Sequence, residues 1–188
     1  MQTDDDVDET LMLRYRDGDA NAFARLYARH KGPLYRYLLR QCGQPATAEE
    51  LFQEIWLKLI AARTSYTVQA RFATWLYRIA HNRLIDHYRA SQRGVPVSYA
   101  GDCPEWIEVP APLEEQPEHQ EDRRRRAKRL LELLAELPEA QREAVLLKEE
   151  GGLSLEEIAQ ATGTGRETVK SRLRYALARL RRDLGDAP

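Results

Sequence analysis

Residues 91–122 limit the fold of this chain more than any other stretch, because five prolines (Pro96, Pro104, Pro110, Pro112 and Pro117) fall inside them. Proline removes a backbone donor and clashes with the preceding turn, so the sequence predicts no long helix across this stretch. The same residues carry one base, Arg93, against 8 acids. On either side the balance reverses: residues 10–90 hold 13 bases against 6 acids, and residues 123–188 hold 15 against 11. A proline-rich, structureless loop of this length is uncommon inside a compact domain. The reading is therefore two small domains, 10–90 and 123–185, joined by an acidic, flexible linker over 91–122. The rival reading is an acidic surface loop on a single domain. At 188 residues the chain is long enough for either.

Both basic blocks read as helical, which makes the fold class all-α. Strand-like alternation is missing apart from "VPVSYA", which its proline spoils. In the first block Leu11, Leu13 and Tyr15 precede Gly18, a helix stop. Asp19 is placed to cap a helix carrying Phe23, Leu26, Tyr27, Leu34 and Leu38, with Pro33 as a kink or break. Thr47 and Glu50 have capping-box spacing ahead of Leu51, Ile55 and Leu59. A long helix follows over "ARFATWLYRIAHNRLIDHYRA". Phe72, Leu76, Ile79 and Leu84 share one face of it, and Arg71, Trp75, Arg78, Asn82 and Arg89 share another.

In the second block Leu130, Leu133, Leu134 and Leu137 make an apolar stripe, and Pro138 suits the first position of the next helix. Gly151 and Gly152 end that helix. Ser154 and Glu157 then form a capping box for a short helix to about Thr162, and Gly163 supplies a left-handed turn. Thr164 and Glu167 have box spacing for a last helix from Gly165 to about Leu184. Its buried stripe is Val169, Leu173, Ala176, Leu177, Leu180 and Leu184. A short capped helix, a glycine turn and a second helix make a helix-turn-helix. The N-terminal part of the second helix is what enters the major groove in that motif, and here it carries Arg166, Thr168, Lys170, Ser171 and Arg174.

Several functions are disfavoured. Every window of membrane-span length contains charges. The start, "MQTDDDVDET", is acidic where a secretory signal would be basic and then apolar. Cys42 and Cys103 make no CxxC and fit reduced thiols of a cytoplasm. A metal-dependent nuclease would need ligands, and "HNRLIDH" offers His81, Asp86 and His87. The two histidines are nearly opposite on a helix, however, and no HExxH motif occurs. The residues thus point to no catalytic group, metal or cofactor. A DNA-binding regulator that works alone would explain the helix-turn-helix but leave the aromatic, basic first block without a role.

The stretch "LPEAQREAVLLKEEGGLSLEEIAQATGTGRETVKSRLRYALARLR" resembles the promoter-reading C-terminal domain of bacterial RNA polymerase sigma factors. "LMLRYRDGDANAFARLYARHKGPLYRYL", "ATAEELFQEIWLKL" and "FATWLYRIAHNRLIDHYR" resemble the N-terminal core domain of that family, in the same order. Two domains and no more resemble the extracytoplasmic-function (ECF) subfamily. The resemblance implies that Glu49, Glu50, Leu51, Gln53, Glu54 and Ile55 bind core RNA polymerase, although Thr47 stands where the family often has Asp. It implies that Tyr66, Arg71, Trp75, Arg78, Asn82, Arg83 and Arg89 melt and hold the minus-ten promoter element. Splayed bases need rings to stack on and phosphates need cations; Tyr77 offers a further ring. The same resemblance gives Arg166, Thr168, Lys170, Ser171 and Arg174 the minus-thirty-five element. It also implies a regulatory anti-sigma partner, often membrane-bound, while the chain itself does not enter the membrane.

Overall fold

In a computed structural model, residues 7–91 and 117–185 are described, and among them every regular element is helical. The first unit comprises α1 (Asp8–Arg16), α2 (Ala20–Cys42), α3 (Pro45–Ala62), a 3-10 turn (Arg63–Ser65) and α4 (Phe72–Ser91). The second comprises α5 (Pro117–Ala135), α6 (Glu139–Glu149), α7 (Leu155–Thr162) and α8 (Arg166–Gly185). No described helix is long and apolar enough to cross a membrane. Most of the residues read as a linker, and Cys103 with them, lie outside the described part. The exceptions are residue 91, which ends α4, and the start of α5, where Pro117 opens a helix inside the stretch read as linker. A first-turn proline loses no intrahelical hydrogen bond.

Local chemistry sets several helix ends as read. Asp19 Oδ1 accepts from the N–H groups of Asn21 at 3.0 Å and Ala22 at 3.3 Å, and this caps α2. Gly43, at φ 72°, closes the same helix through its N–H to the Leu39 carbonyl. Other ends differ. Pro33 lies inside an unbroken α2, because long-range packing of Leu26, Leu34 and Leu38 holds both halves in line. Pro45 begins α3, so Thr47 already stands within its first turn and caps nothing. Pro138 is the cap residue of α6 rather than its first helical residue. Thr164 is one position too early to cap α8; its hydroxyl lies 3.0 Å from that of Thr162 instead.

Packing departs from the two-core expectation. Leu26, Leu34, Leu51, Ile55, Phe72 and Leu76 build the core of the first unit, and the same buried cluster continues into Leu146, Leu147, Leu153, Ile158 and Val169 of the second. Only Leu133, Leu134, Leu137, Val145, Ala176 and Leu180 form a separate small core. Leu130, Leu177 and Leu184 of the expected stripes are exposed. At the junction the buried Arg142 donates to Gln41 Oε1 at 3.2 Å, to the Gln41 carbonyl at 3.5 Å and to the Ala135 carbonyl at 3.1 Å. Those carbonyls belong to the C-terminal turns of α2 and α5, where the helix dipole favours a cation.

Candidate nucleic-acid interface

Helix α4 presents one wall of a cavity of about 450 Å³, lined among others by Ser65, Tyr66, Thr74, Trp75, Arg78 and Gln160. The ring of Trp75 is half-buried, 4.8 Å from that of Tyr66 and 6.0 Å from that of Phe72. Tyr66 is itself buried, and its hydroxyl has no hydrogen-bond partner among the described residues. Burial, with the nearby carboxylates of Glu9 and Asp8, pushes that phenol up to about 12, so it stays a donor at neutral pH. Arg78 stands exposed at the rim, and Asn82 and Arg89 follow on exposed turns of the same helix. Aromatic walls and a cation at an open cavity, with an amide one turn further along the same helix, suit a flat, hydrogen-bonding base on a charged backbone.

Three of the sequence-expected residues sit differently. Arg71 is exposed but lies 3.4 Å from the Glu157 carboxylate of α7. Arg83 turns toward α3 and pairs with Glu54, so it ties two helices together rather than lining the cavity. That hydrogen bond also holds the Glu54 carboxyl below its usual range. The ring of Tyr77 is buried against Tyr37, with centroids 5.2 Å apart, and offers no stacking surface. His81, weighed above as a metal ligand, lies 2.6 Å from Glu143, and no group of potential metal ligands occurs among the described residues.

The outer face of α3 forms a second surface. Glu49, Glu50 and Gln53 are exposed, whereas Leu51 and Ile55 are wholly buried and serve to hold the helix in the core. Leu57, one turn beyond Gln53, is 63% exposed. The sequence carried a signal for it: Leu57 falls off the buried 51, 55, 59 spacing, so an apolar residue there has no core to enter.

Helix α8 forms the third. Ser154 Oγ accepts from the Glu157 N–H at 3.2 Å, and Glu157 Oε2 accepts from the Ser154 N–H at 2.8 Å, which completes the expected capping box of α7. Gly163, at φ 64°, makes the turn, and buried Val169, Ala176 and Leu180 fix the rotation of α8. That rotation leaves Arg166, Thr168, Lys170 and Arg174 exposed, with Ser171 half-buried beside them. Their charges are lightly engaged: Arg166 pairs with Glu156 and Glu167, Lys170 lies 3.6 Å from Glu167, and the Arg174 guanidinium sits 4.9 Å from the ring centre of Tyr175. Exposed pairs of this kind are worth little, so exchanging them for phosphate costs little. Tyr175, 57% exposed beside Arg174, was not anticipated. Replacing Ser154 with Ala removes one half of the box and should cost about 1 kcal/mol of unfolding free energy. Urea denaturation of the full chain measures this, and an unchanged midpoint would show the box to be idle.

Against known families, residues 26–94 match the model of Sigma-70 region 2 and residues 127–180 match that of Sigma-70 region 4. The chain is 33% identical to the RNA polymerase sigma factor CarQ of Myxococcus xanthus, over 93% of this chain and 96% of that protein. It is also 33% identical to the ECF RNA polymerase sigma factor BldN of Streptomyces coelicolor, over 94% of this chain and 65% of that longer protein. Among solved structures it superposes on CnrH in complex with the cytosolic domain of CnrY, with a TM-score of 0.68 at 22% identity, covering 97% of this chain and all (100%) of that one. It superposes also on RpoE in complex with the anti-sigma factor NepR from Bartonella quintana, at 0.67 and 23% identity, covering 90% of this chain and 100% of that one.

Proposed function

This chain belongs to the ECF subfamily of RNA polymerase sigma factors, which direct promoter-specific transcription initiation, and we propose how its surfaces divide that work. The first unit binds core polymerase through Glu49, Glu50, Gln53 and Leu57 and takes the minus-ten strand at the α4 cavity, with Trp75 as the stacking wall, Arg78 at the rim and Asn82 one turn further along α4. The second unit reads the minus-thirty-five element with Arg166, Thr168, Lys170, Ser171 and Arg174. Residues 92–116 join the units, the second beginning with α5 rather than at residue 123. Phosphoryl transfer belongs to the polymerase, so the chain needs no catalytic group of its own, and its place of work is the cytoplasm, where the polymerase is. An anti-sigma partner, often membrane-bound in this family, regulates it.

The observation that supports this reading is that two separate units each carry a surface whose chemistry suits nucleic acid, and that the two surfaces differ. One is an aromatic cavity suited to a splayed strand; the other is a basic helix suited to a duplex groove. A regulator acting alone would need only the second.

The polymerase surface is tested by Glu50→Lys combined with Gln53→Ala. Both side chains are exposed, so stability should change by no more than about 0.5 kcal/mol each. Affinity for core polymerase should fall about ten-fold, as for interface residues worth roughly 1.4 kcal/mol together. Undiminished affinity in a fluorescence titration would remove α3 from the interface.

A further inference from the structure

We infer that α1 is a positioning element for the α4 cavity: Glu9 caps α4 and Arg16 holds the loop before it, so α1 sets the shape of the cavity without lining it. This rests on the assignment of that cavity to the minus-ten strand.

Helix α4 has no cap of its own. The first amides of a helix lack intrahelical partners, and the residue before α4 is Arg71, whose side chain only donates. The acceptor comes instead from a residue 63 positions away: Glu9 Oε1 accepts from the Phe72 N–H at 2.6 Å. A carboxylate there suits the positive end of the helix dipole, and the hydrogen bond is charge-assisted. Glu9 also stands in the first turn of α1, where an acid is favourable in any helix. That alone would explain a solvated glutamate; this one is half-buried and spent on another helix. Phe72 is gripped a second time through its ring, which lies 5.0 Å from that of His30. His30 is held in turn by Asp8, 2.7 Å away, and Asp8 accepts from Arg29 at 2.9 Å. Two successive acids of α1 therefore act on the start of α4.

The other end of the loop is tied to the same helix. Arg16 Nη1 donates to the Tyr66 carbonyl at 3.4 Å, while its Nε donates to Asp17 at 2.9 Å. The Arg63 guanidinium lies 5.5 Å from the ring centre of Tyr15. Between these ties the loop has little to fix it. No backbone N–H of residues 67–71 donates to a backbone carbonyl among the described residues, and Thr67, Val68, Gln69 and Arg71 are exposed. What the ties hold in place is the cavity. Tyr66, Thr67, Gln69 and Ala70 line it from the loop, and Thr74 and Trp75 line it from the first turn of α4. Neither Glu9 nor Arg16 is among its lining residues, so both act through the backbone that they hold. A frayed first turn would carry the Trp75 ring away from its place. The wholly buried Leu11 and Met12 anchor α1 in the core, which gives the ties a fixed base.

The test uses the full chain, alone and as holoenzyme, with Glu9→Ala, Glu9→Gln, Arg16→Met and, as a control on an exposed neighbour in α1, Thr10→Ala. Circular dichroism checks the fold, and a titration checks affinity for core polymerase. Hydrogen exchange reads the first turn of α4. Anisotropy reads holoenzyme binding to a labelled single strand, the non-template minus-ten sequence of a promoter that the wild-type holoenzyme transcribes. Glu9→Ala should leave core affinity unchanged, speed exchange over residues 72–75 about five-fold and weaken strand binding about five-fold, as for a lost cap. Glu9→Gln keeps an acceptor oxygen and should stay within about two-fold of wild type in both. Arg16→Met keeps the stem but not the donors and should weaken strand binding about three-fold. Thr10→Ala should match wild type. Unchanged exchange in Glu9→Ala would show the cap to be idle, and a Glu9→Gln variant as impaired as Glu9→Ala would show that the hydrogen bond is not what holds the turn; either overturns the inference. Should Glu9→Ala fail to fold, Arg16→Met carries the test, and unchanged strand binding overturns it. Trp75→Ala separates the two ideas. If it weakens strand binding while Glu9→Ala and Arg16→Met do not, the positioning role alone is wrong. If all three bind the strand as wild type does, the minus-ten assignment falls and the inference with it.

Discussion

Trp75→Ala holoenzyme is expected to form open complexes about ten-fold less favourably than wild type, or worse. A base stacked on an aromatic ring is worth roughly 1–3 kcal/mol, and 1.4 kcal/mol is a factor of ten. Trp75 is the aromatic side chain of the cavity with substantial exposed surface; Tyr66 and Phe72 are buried behind it. Because its ring also packs on those two, alanine there removes some core contact as well. Two controls separate the effects. Trp75→Phe keeps a ring and should retain most of the activity, and Asn82→Ala alters an exposed side chain that the fold does not need. Duplex binding through α8 should survive in all three. A pre-melted bubble should partly rescue a defect in opening but not a loss of strand recognition. Wild-type rates for Trp75→Ala and Asn82→Ala on duplex promoters, with both variants folded and bound to core, would mean that α4 does not hold the strand.

Much of this was legible in the sequence because it is local. The cap at Asp19, the Ser154–Glu157 box and the turn at Gly163 depend on residues within a few positions of each other, and all three occur. The exposed cations of α8 follow from the spacing of Val169, Ala176 and Leu180, since fixing three buried positions on a helix fixes the opposite face. What escaped was non-local. Tyr77 read as an available ring because α4 was expected to bury one face; the second unit buries another, through Gly151 and the α6–α7 segment. Arg83 read as a DNA cation because nothing in its own helix says that Glu54 of α3 stands opposite. Pro33 read as a break because the local cost is visible in sequence, while the long-range packing that outweighs it is not. Leu51 and Ile55 matched a binding motif by position, but the periodicity of their helix had already assigned them to the core.

Replacing Arg174 with Ala should have the other large effect, and its pattern across promoters says what the side chain does. A side chain that reads a base edge carries about 1–3 kcal/mol of discrimination, or five- to more than a hundred-fold, confined to promoters with that base. A phosphate contact would instead weaken all promoters alike and lower the salt slope of binding by about one. The geometry favours base reading for Arg174 over Arg166. Arg166 is held by two acids, Glu156 and Glu167, at the start of α8. Arg174 lies two turns further on, held over the exposed ring of Tyr175 at 4.9 Å, and a guanidinium stacked on a ring loses less freedom when it meets a guanine edge. Tyr175→Ala should therefore weaken the same promoters as Arg174→Ala, by less, because it removes the support and leaves the reader. Lys170→Ala, a point charge beside Glu167, should act on all promoters uniformly. Holoenzyme binding to a set of single-base minus-thirty-five variants, at two salt concentrations, measures all three. If Arg174→Ala and Lys170→Ala both leave every promoter unchanged, the face of α8 set by Val169 and Ala176 is not the one that meets DNA.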